Sequence, residues 1–248
     1  MGEELPNGAI RTRYPFSERA VELHPDRFLY YILIDPLDPD LDRLTREIAS
    51  RPGACAIRIV PLIESGEVDR LERGEFDLLF AAAERHHVPV FAWVPSRAET
   101  LVPYALKFPD LQLVVDHTGV GAAPLPGGRK LPATTASSLT EAHADRIKEF
   151  AQVCNMAQYP NIWLKWSHAP GLLSEEDYPW ADVVPLLRQA IDAFGVDRIM
   201  WASDYTIERI ENGNSWGQLL YYLLDSSELS RVEKEWVLGG SVRRLLAL

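Results

Sequence analysis

The sequence predicts an α/β fold built on a parallel sheet. Three observations carry that expectation: short apolar runs alternate with longer helical patterns, the runs are nearly continuous in Ile, Val, Leu and Phe, and proline or glycine closes most helical segments. The runs are 28–34, 54–60, 88–93, 111–116, 161–165 and 198–202. A strand covered by helices on both faces has no polar side, so it loses the alternation of a half-exposed strand. Between the runs lie charge-bearing segments of helical period at 41–50, 76–86, 100–108, 143–159 and 183–194. Pro52, Pro89, Pro109 and Pro160 follow four of the helix exits and Gly195 closes another, as expected where a helix must stop and turn into a strand.

This rhythm predicts a TIM-barrel-like (β/α) fold, incomplete, with about six of the eight strands that a closed barrel needs. The residues ahead of Phe28 hold no convincing strand: 19–23 reads as helix and 1–14 as irregular. An open sheet leaves two edges of unpaired N–H and C=O groups. Either two strands lie upstream of Met1, or another chain supplies cover, or the fold is not a barrel. Nothing marks a domain boundary, so 1–248 reads as a single domain. The stretch from Thr118 to Thr140, rich in Gly, Pro, Ser and Thr, reads as an active-site loop or lid, with a disordered surface insert as the alternative. The tail from Leu229 to Leu248 reads as two short helices, with Ser230 and Glu233 forming a capping box and Gly239-Gly240 breaking the run.

Acidic residues outnumber basic ones, 36 to 25, for a formal charge of -11, and no stretch clusters Lys and Arg. That argues against a nucleic-acid partner. No apolar run reaches the length of a membrane span, and no apolar leader opens the chain, so the expectation is a soluble, cytoplasmic protein. Cys55 and Cys154 belong to no paired motif. The partners this leaves are a small-molecule substrate and, as a homo-oligomer, further copies of the chain.

In a parallel α/β fold the ligand side is the carboxyl end of the strands. Asp116 and His117 fall at the end of one strand, Lys165, Ser167 and His168 at the end of the next, and Ser203 and Asp204 at the end of the last. Arg58 sits inside a strand, where a guanidinium is costly to bury unless an anion meets it. Each has a plainer reading. Asp204 can cap the following helix, His117 can bond to backbone, Arg58 can be a structural ion-pair partner, and Lys165 can carry its ammonium to the rim. Adjacent residues point opposite ways on a strand, so only one of Asp116 and His117 can face a cavity. Taken together, a carboxylate and an imidazole at one mouth can hold a divalent metal or activate water. Arg58 and Lys165 would then bind negative charge on the substrate. No HxH, HExxH or Cys/His cluster occurs.

Seven stretches spread in order along the chain resemble the amidohydrolase-related family, the type 2 amidohydrolases: HPDRF at 24–28, IDP at 34–36, AIRI at 56–59, LQLVVDHTG at 111–119, NIWLKWS at 161–167, FGVDRIMWASDYT at 194–206 and the tail at 229–248. The resemblance implies a TIM-barrel metal-dependent hydrolase. His117 matches the family's strand-six histidine, a metal ligand or substrate-polarising group. Asp204 matches the aspartate after strand eight, a metal ligand or general base. Arg58 matches an arginine that reaches a substrate carboxylate, and Lys165 a strand lysine of unsettled role. A divalent metal, zinc or manganese, is implied with them, although the family's opening HxH is absent and the resemblance begins near its third strand. The implied function is hydrolysis of a lactone or related cyclic ester bearing carboxylate or hydroxyl groups. The alternatives are a metal-dependent decarboxylase of an aromatic acid and a catalytically inactive barrel derivative.

Overall fold

The structure, a computed structural model, describes residues 2–61, 65–121 and 136–248. It begins with an antiparallel hairpin of β1 (Gly2–Glu4) and β2 (Ile10–Thr12). This departs from the irregular segment expected over 1–14. The strands have three residues each and are largely exposed, so they leave no apolar run to read. Gly8, at φ 84°, supplies the left-handed turn between them. Helix α1 (Pro15–Leu23) follows, with proline in its first turn, and leads to β3 (Tyr30–Leu33). Arg11 of the hairpin bridges Ile34 in antiparallel fashion, and its guanidinium meets Asp38 at 2.7 Å and Asp40 at 2.6 Å. The hairpin is thereby tied to the chain just beyond β3.

The β/α alternation then runs α2 (Leu41–Ile48), β4 (Ala54–Ile59), α3 (Glu67–Glu72), α4 (Asp77–Arg85), β5 (Val90–Ala92), α5 (Val102–Lys107) and β6 (Leu113–Val115). It continues with α6 (Ala136–Asn155), β7 (Ile162–Ser167), α7 (Ala169–Leu173), α8 (Val183–Phe194), β8 (Ile199–Ala202) and α9 (Tyr205–Asn212). The chain closes with α10 (Trp216–Leu224), α11 (Arg231–Glu235) and α12 (Ser241–Leu246). Strands β3 to β8 form a six-stranded open parallel sheet in consecutive order, as the strand count predicts. Ile32 pairs with Ile57, Ile57 with Val90, and Trp166 with Trp201. The predicted lid lies mostly outside the described residues. No helix among the described residues is long and apolar enough to cross a membrane.

By contact the chain divides into two compact units, Met1–Trp93 with Thr100–Val114, and Val94–Glu99 with Val115–Leu248. The first is centred on fully buried Leu71, Leu79, Phe80 and Phe91. Phe80 meets the Tyr104 ring edge-on at 4.4 Å, and the Tyr104 hydroxyl donates to the Leu71 carbonyl. The second is centred on Phe150, Leu164 and Trp166. Burying each such side chain contributes about 1.5–3 kcal/mol. The indole N–H of Trp166 donates to the Tyr222 hydroxyl at 2.8 Å, and burial pushes that phenol's pKa up. Arg198, of the FGVDRIMWASD stretch, donates to the carbonyls of Phe194, Tyr159, Ile162 and Ala157, so it fastens the end of α8 to the entry of β7. The Ser230–Glu233 capping box at α11 is present in full.

Candidate active site

The polar strand ends of the second unit converge. At the end of β6 the chain turns through Asp116 and His117, and because His117 has left the extended conformation the two side chains reach Lys165 and Ser167, two residues apart on one face of β7. Asp116 is fully buried and forms an ion pair with Lys165, whose Nζ lies 2.9 Å from its Oδ1. That pair occupies the position where Lys165 alone was expected to reach the rim. His117 turns to the other partner set: its Nδ1 lies 3.0 Å from Ser167 Oγ and 3.4 Å from Asp204 Oδ2. His168, directly after β7, places its own Nδ1 2.9 Å from the same Asp204 oxygen. One carboxylate is thus shared by two histidines from successive strand ends.

Local backbone geometry sets this convergence. His117, His168 and Asp204 all adopt the left-handed conformation, at φ 49°, 58° and 46°. Such a residue without glycine's freedom costs about 1–2 kcal/mol, although Asp and His tolerate it better than most. Asp204 stands at the N-cap of α9 and His168 at the N-cap of α7, yet neither side chain accepts a capping hydrogen bond. The plainer reading of Asp204, a helix cap, is therefore not what its carboxylate does. It faces His168 and His117 instead.

Electrostatics follow from this arrangement. Burial disfavours the charged Asp204, but the His168 hydrogen bond and the positive charges of His117, His168 and Lys165 outweigh it and hold the carboxyl below the usual carboxylate range. Burial likewise opposes charging His168. The Asp204 hydrogen bond and the carboxylates of Glu208 and Glu211 outweigh that too, so its pKa is raised. Their contact thus favours the charged form of each group.

Sequence reasoning missed the residues behind this pair. Glu208 lies on α9, is fully buried, and accepts from the Gly171 backbone N–H at 3.2 Å, Asn212 Nδ2 at 3.1 Å and Asn214 Nδ2 at 2.7 Å. Its Oε1 stands 3.9 Å from His168 Nε2. The available signal was spacing, since a carboxylate four residues beyond Asp204 on a helix faces the same way. Arg58 belongs to the first unit. It is half-buried on β4 and lines a cleft of about 260 Å³ with Ile34, Asp35, Pro61, Glu67 and Phe76.

Among the described residues no group of three or more His, Cys, Asp and Glu side chains is disposed to hold a metal ion. His117 and Asp204 supply two donors, and His117 Nδ1 and Asp204 Oδ2 are already engaged with Ser167 and His168. A catalytic zinc takes three protein ligands and keeps a position open. The described residues do not by themselves fit that group.

The family model for amidohydrolases (Amidohydro_2) matches residues 18–248. The chain belongs to the amidohydrolase family. It is similar to the L-fucono-1,5-lactonase of Burkholderia ambifaria, 27% identical over 116 residues that make up 47% of this chain and 33% of that enzyme. The match thus spans about a third of that relative's length. Among solved structures, an amidohydrolase from Burkholderia multivorans with bound zinc aligns with a TM-score of 0.70 at 18% identity, covering 93% of this chain and 78% of that one. A 2,6-dihydroxybenzoate decarboxylase complexed with 2,6-dihydroxybenzoate aligns with a TM-score of 0.62 at 16% identity, covering 94% and 75%. At these identities the structural likeness establishes the fold.

Proposed function

We propose that the chain carries the catalytic strand ends of a hydrolase acting on a lactone or related cyclic ester that bears carboxylate or hydroxyl groups. The observation that carries this reading is the Asp204 carboxylate: partly buried, held ionised, placed at a helix N-terminus without capping it, and set between two histidines. A water beside Asp204 gives up its proton to the carboxylate as its oxygen adds to the lactone carbonyl. His117 donates a hydrogen bond to the developing oxyanion. The ring C–O bond then breaks, and the proton held on Asp204 passes to the departing alkoxide, leaving an open hydroxy acid. A positioned general base contributes about 10²–10⁴ in rate, and a single oxyanion donor about 10²–10³.

Lys165, paired with Asp116, adds positive charge behind Asp204 and is a candidate for binding a substrate oxygen. Arg58 is a candidate for the substrate carboxylate on the family resemblance. His117 and Asp204 are the candidate ligands for the zinc or manganese that the family resemblance implies, and they supply two of the three protein donors that a catalytic zinc takes. The similarity to the L-fucono-1,5-lactonase favours ester hydrolysis over decarboxylation. The test is to incubate the chain with a panel of sugar and dicarboxylate lactones and of hydroxybenzoates, following acid release and CO2. Acid from a lactone without CO2 is expected. Release of CO2 from a hydroxybenzoate, or neither product from any compound, removes this reading.

A further inference from the structure

Glu208 does more than join two helices. Its Oε1 accepts the Gly171 N–H of α7, and its Oε2 accepts both Asn212 and Asn214. Oε1 is also the atom that faces His168 Nε2, at 3.9 Å. Asp204 sits four residues earlier and accepts the Glu208 backbone N–H at 3.1 Å, so the first turn of α9 fixes the two carboxylates relative to each other. They flank one imidazole: Asp204 on Nδ1, and Glu208 on the side of Nε2, where the more exposed Glu211 also places an oxygen at 3.8 Å. The packing around the ring is tight. A Cβ on Gly171 would stand 2.7 Å from His168 Nε2 and 2.5 Å from Asn212 Nδ2, so a side chain there would displace the ring or the amide. A charged group is an expensive helix anchor, because apolar residues of similar volume stabilise such a junction at least as well. What the charge adds is directionality toward His168.

We infer that Glu208 is a positioning residue for the Asp204–His168 pair: together with Gly171, Asn212 and Asn214 it forms a cradle that keeps the His168 ring in one orientation, with Nδ1 on the Asp204 oxygen that faces His117. The expected effect on catalysis rests on the hydrolase reading above, whereas the orientation of His168 does not. Glu208 does not touch substrate in this scheme. It acts by fixing the partner of the general base; loss of the outer-shell partner that orients a metal-binding histidine costs about 10- to 100-fold, and a loss of that order is expected here.

The experiment compares wild type with Glu208→Gln in the full chain, using lactone hydrolysis and imidazole-detected ¹⁵N NMR of His168. The amide keeps the shape but aims an NH2 group at donors. The expected result is a kcat lowered about 10- to 100-fold with KM changed less than about twofold, a displaced His168 Nδ1–H signal, and recovery of part of the rate in Glu208→Asp. A variant that keeps both kcat and the His168 signal overturns the inference. If wild type hydrolyses no lactone, the functional reading falls and the NMR signal alone decides the positioning role. If Glu208→Gln does not fold, Asn214→Ala removes one donor while leaving the carboxylate. A moved His168 signal then supports the inference and an unmoved one overturns it.

Discussion

Strands β3, β4 and β5 run out into proline, with Pro36, Pro61 and Pro95 shortly after their last residues. Pro36 and Pro95 each take the second position of a tight turn, closed by the Asp38 N–H on the Asp35 carbonyl at 2.9 Å and by the Arg97 N–H on the Val94 carbonyl at 3.1 Å. Strands β6, β7 and β8 end instead on His117, His168 and Asp204, each in the left-handed conformation. The charges differ in the same way. Around α2, Arg43 pairs with Asp40 and Glu47 with all three side chains more than two-fifths exposed. Around β7, Lys165 pairs with Asp116 at side-chain exposures of 12% and 0%. The three later strand ends carry conformational strain and buried charge, both of which cost stability, and the fold tolerates them where the side chains converge. Strain at a cluster of polar residues is a better guide to chemistry than polarity alone.

The comparison predicts unequal costs for removing a charge. Lys165→Met should destabilise the chain by about 3–5 kcal/mol, because Asp116 is left buried without its ammonium. Urea denaturation measures this, and Lys165→Met combined with Asp116→Leu should regain most of the loss. Tyr222→Phe should cost about 1–3 kcal/mol by leaving the buried Trp166 N–H without its acceptor, read by the same titration. Arg43→Met in the first unit should cost no more than about 1 kcal/mol. A loss at Arg43 equal to that at Lys165 would break the contrast.

The smallest effect is pH-dependent. The Arg188 guanidinium, with the Ser230 cap, holds the Glu233 carboxyl down to about 2. A depressed carboxyl pKa stabilises the fold above the unfolded value, near 4.3, and that contribution disappears as pH falls through about 2. Glu233→Gln should therefore melt lower than wild type at pH 6, by an amount about the size of an N-cap contribution, ~1 kcal/mol. The two proteins should converge near pH 2. A difference that persists there would mean that Glu233 acts by packing alone.

Much of the fold was legible because burial on both faces leaves a continuous apolar run, and all six runs became strands in neighbour order. The hairpin at residues 2–12 was not, since its two short strands are held by a glycine turn and by Arg11 reaching Asp38 and Asp40, which are distant in sequence. In the site, His117 and Asp204 were visible as polar residues closing apolar runs. His168 was visible too but ambiguous, because nothing local says that a histidine before Ala-Pro faces the carboxylate of the next strand. Glu208 was not singled out, although it lies four residues beyond Asp204. Asn212 and Asn214 lie within six residues of it, but its burial also depends on Gly171, 37 residues away, which no local spacing encodes.

Two strand-end carboxylates allow the central claim to be tested within one assay. Asp35 follows β3, and its oxygens accept the backbone N–H groups of Ile10 and Leu37, a structural duty. Asp204 follows β8 and meets two histidines. The decisive measurement is kcat/KM for lactone hydrolysis in wild type, Asp204→Asn and Asp35→Asn, at matched folded fraction. The account predicts a loss of about 10²–10⁴ for Asp204→Asn and a rate within a few-fold of wild type for Asp35→Asn. Full activity in Asp204→Asn, or equal losses in the two variants, would contradict it.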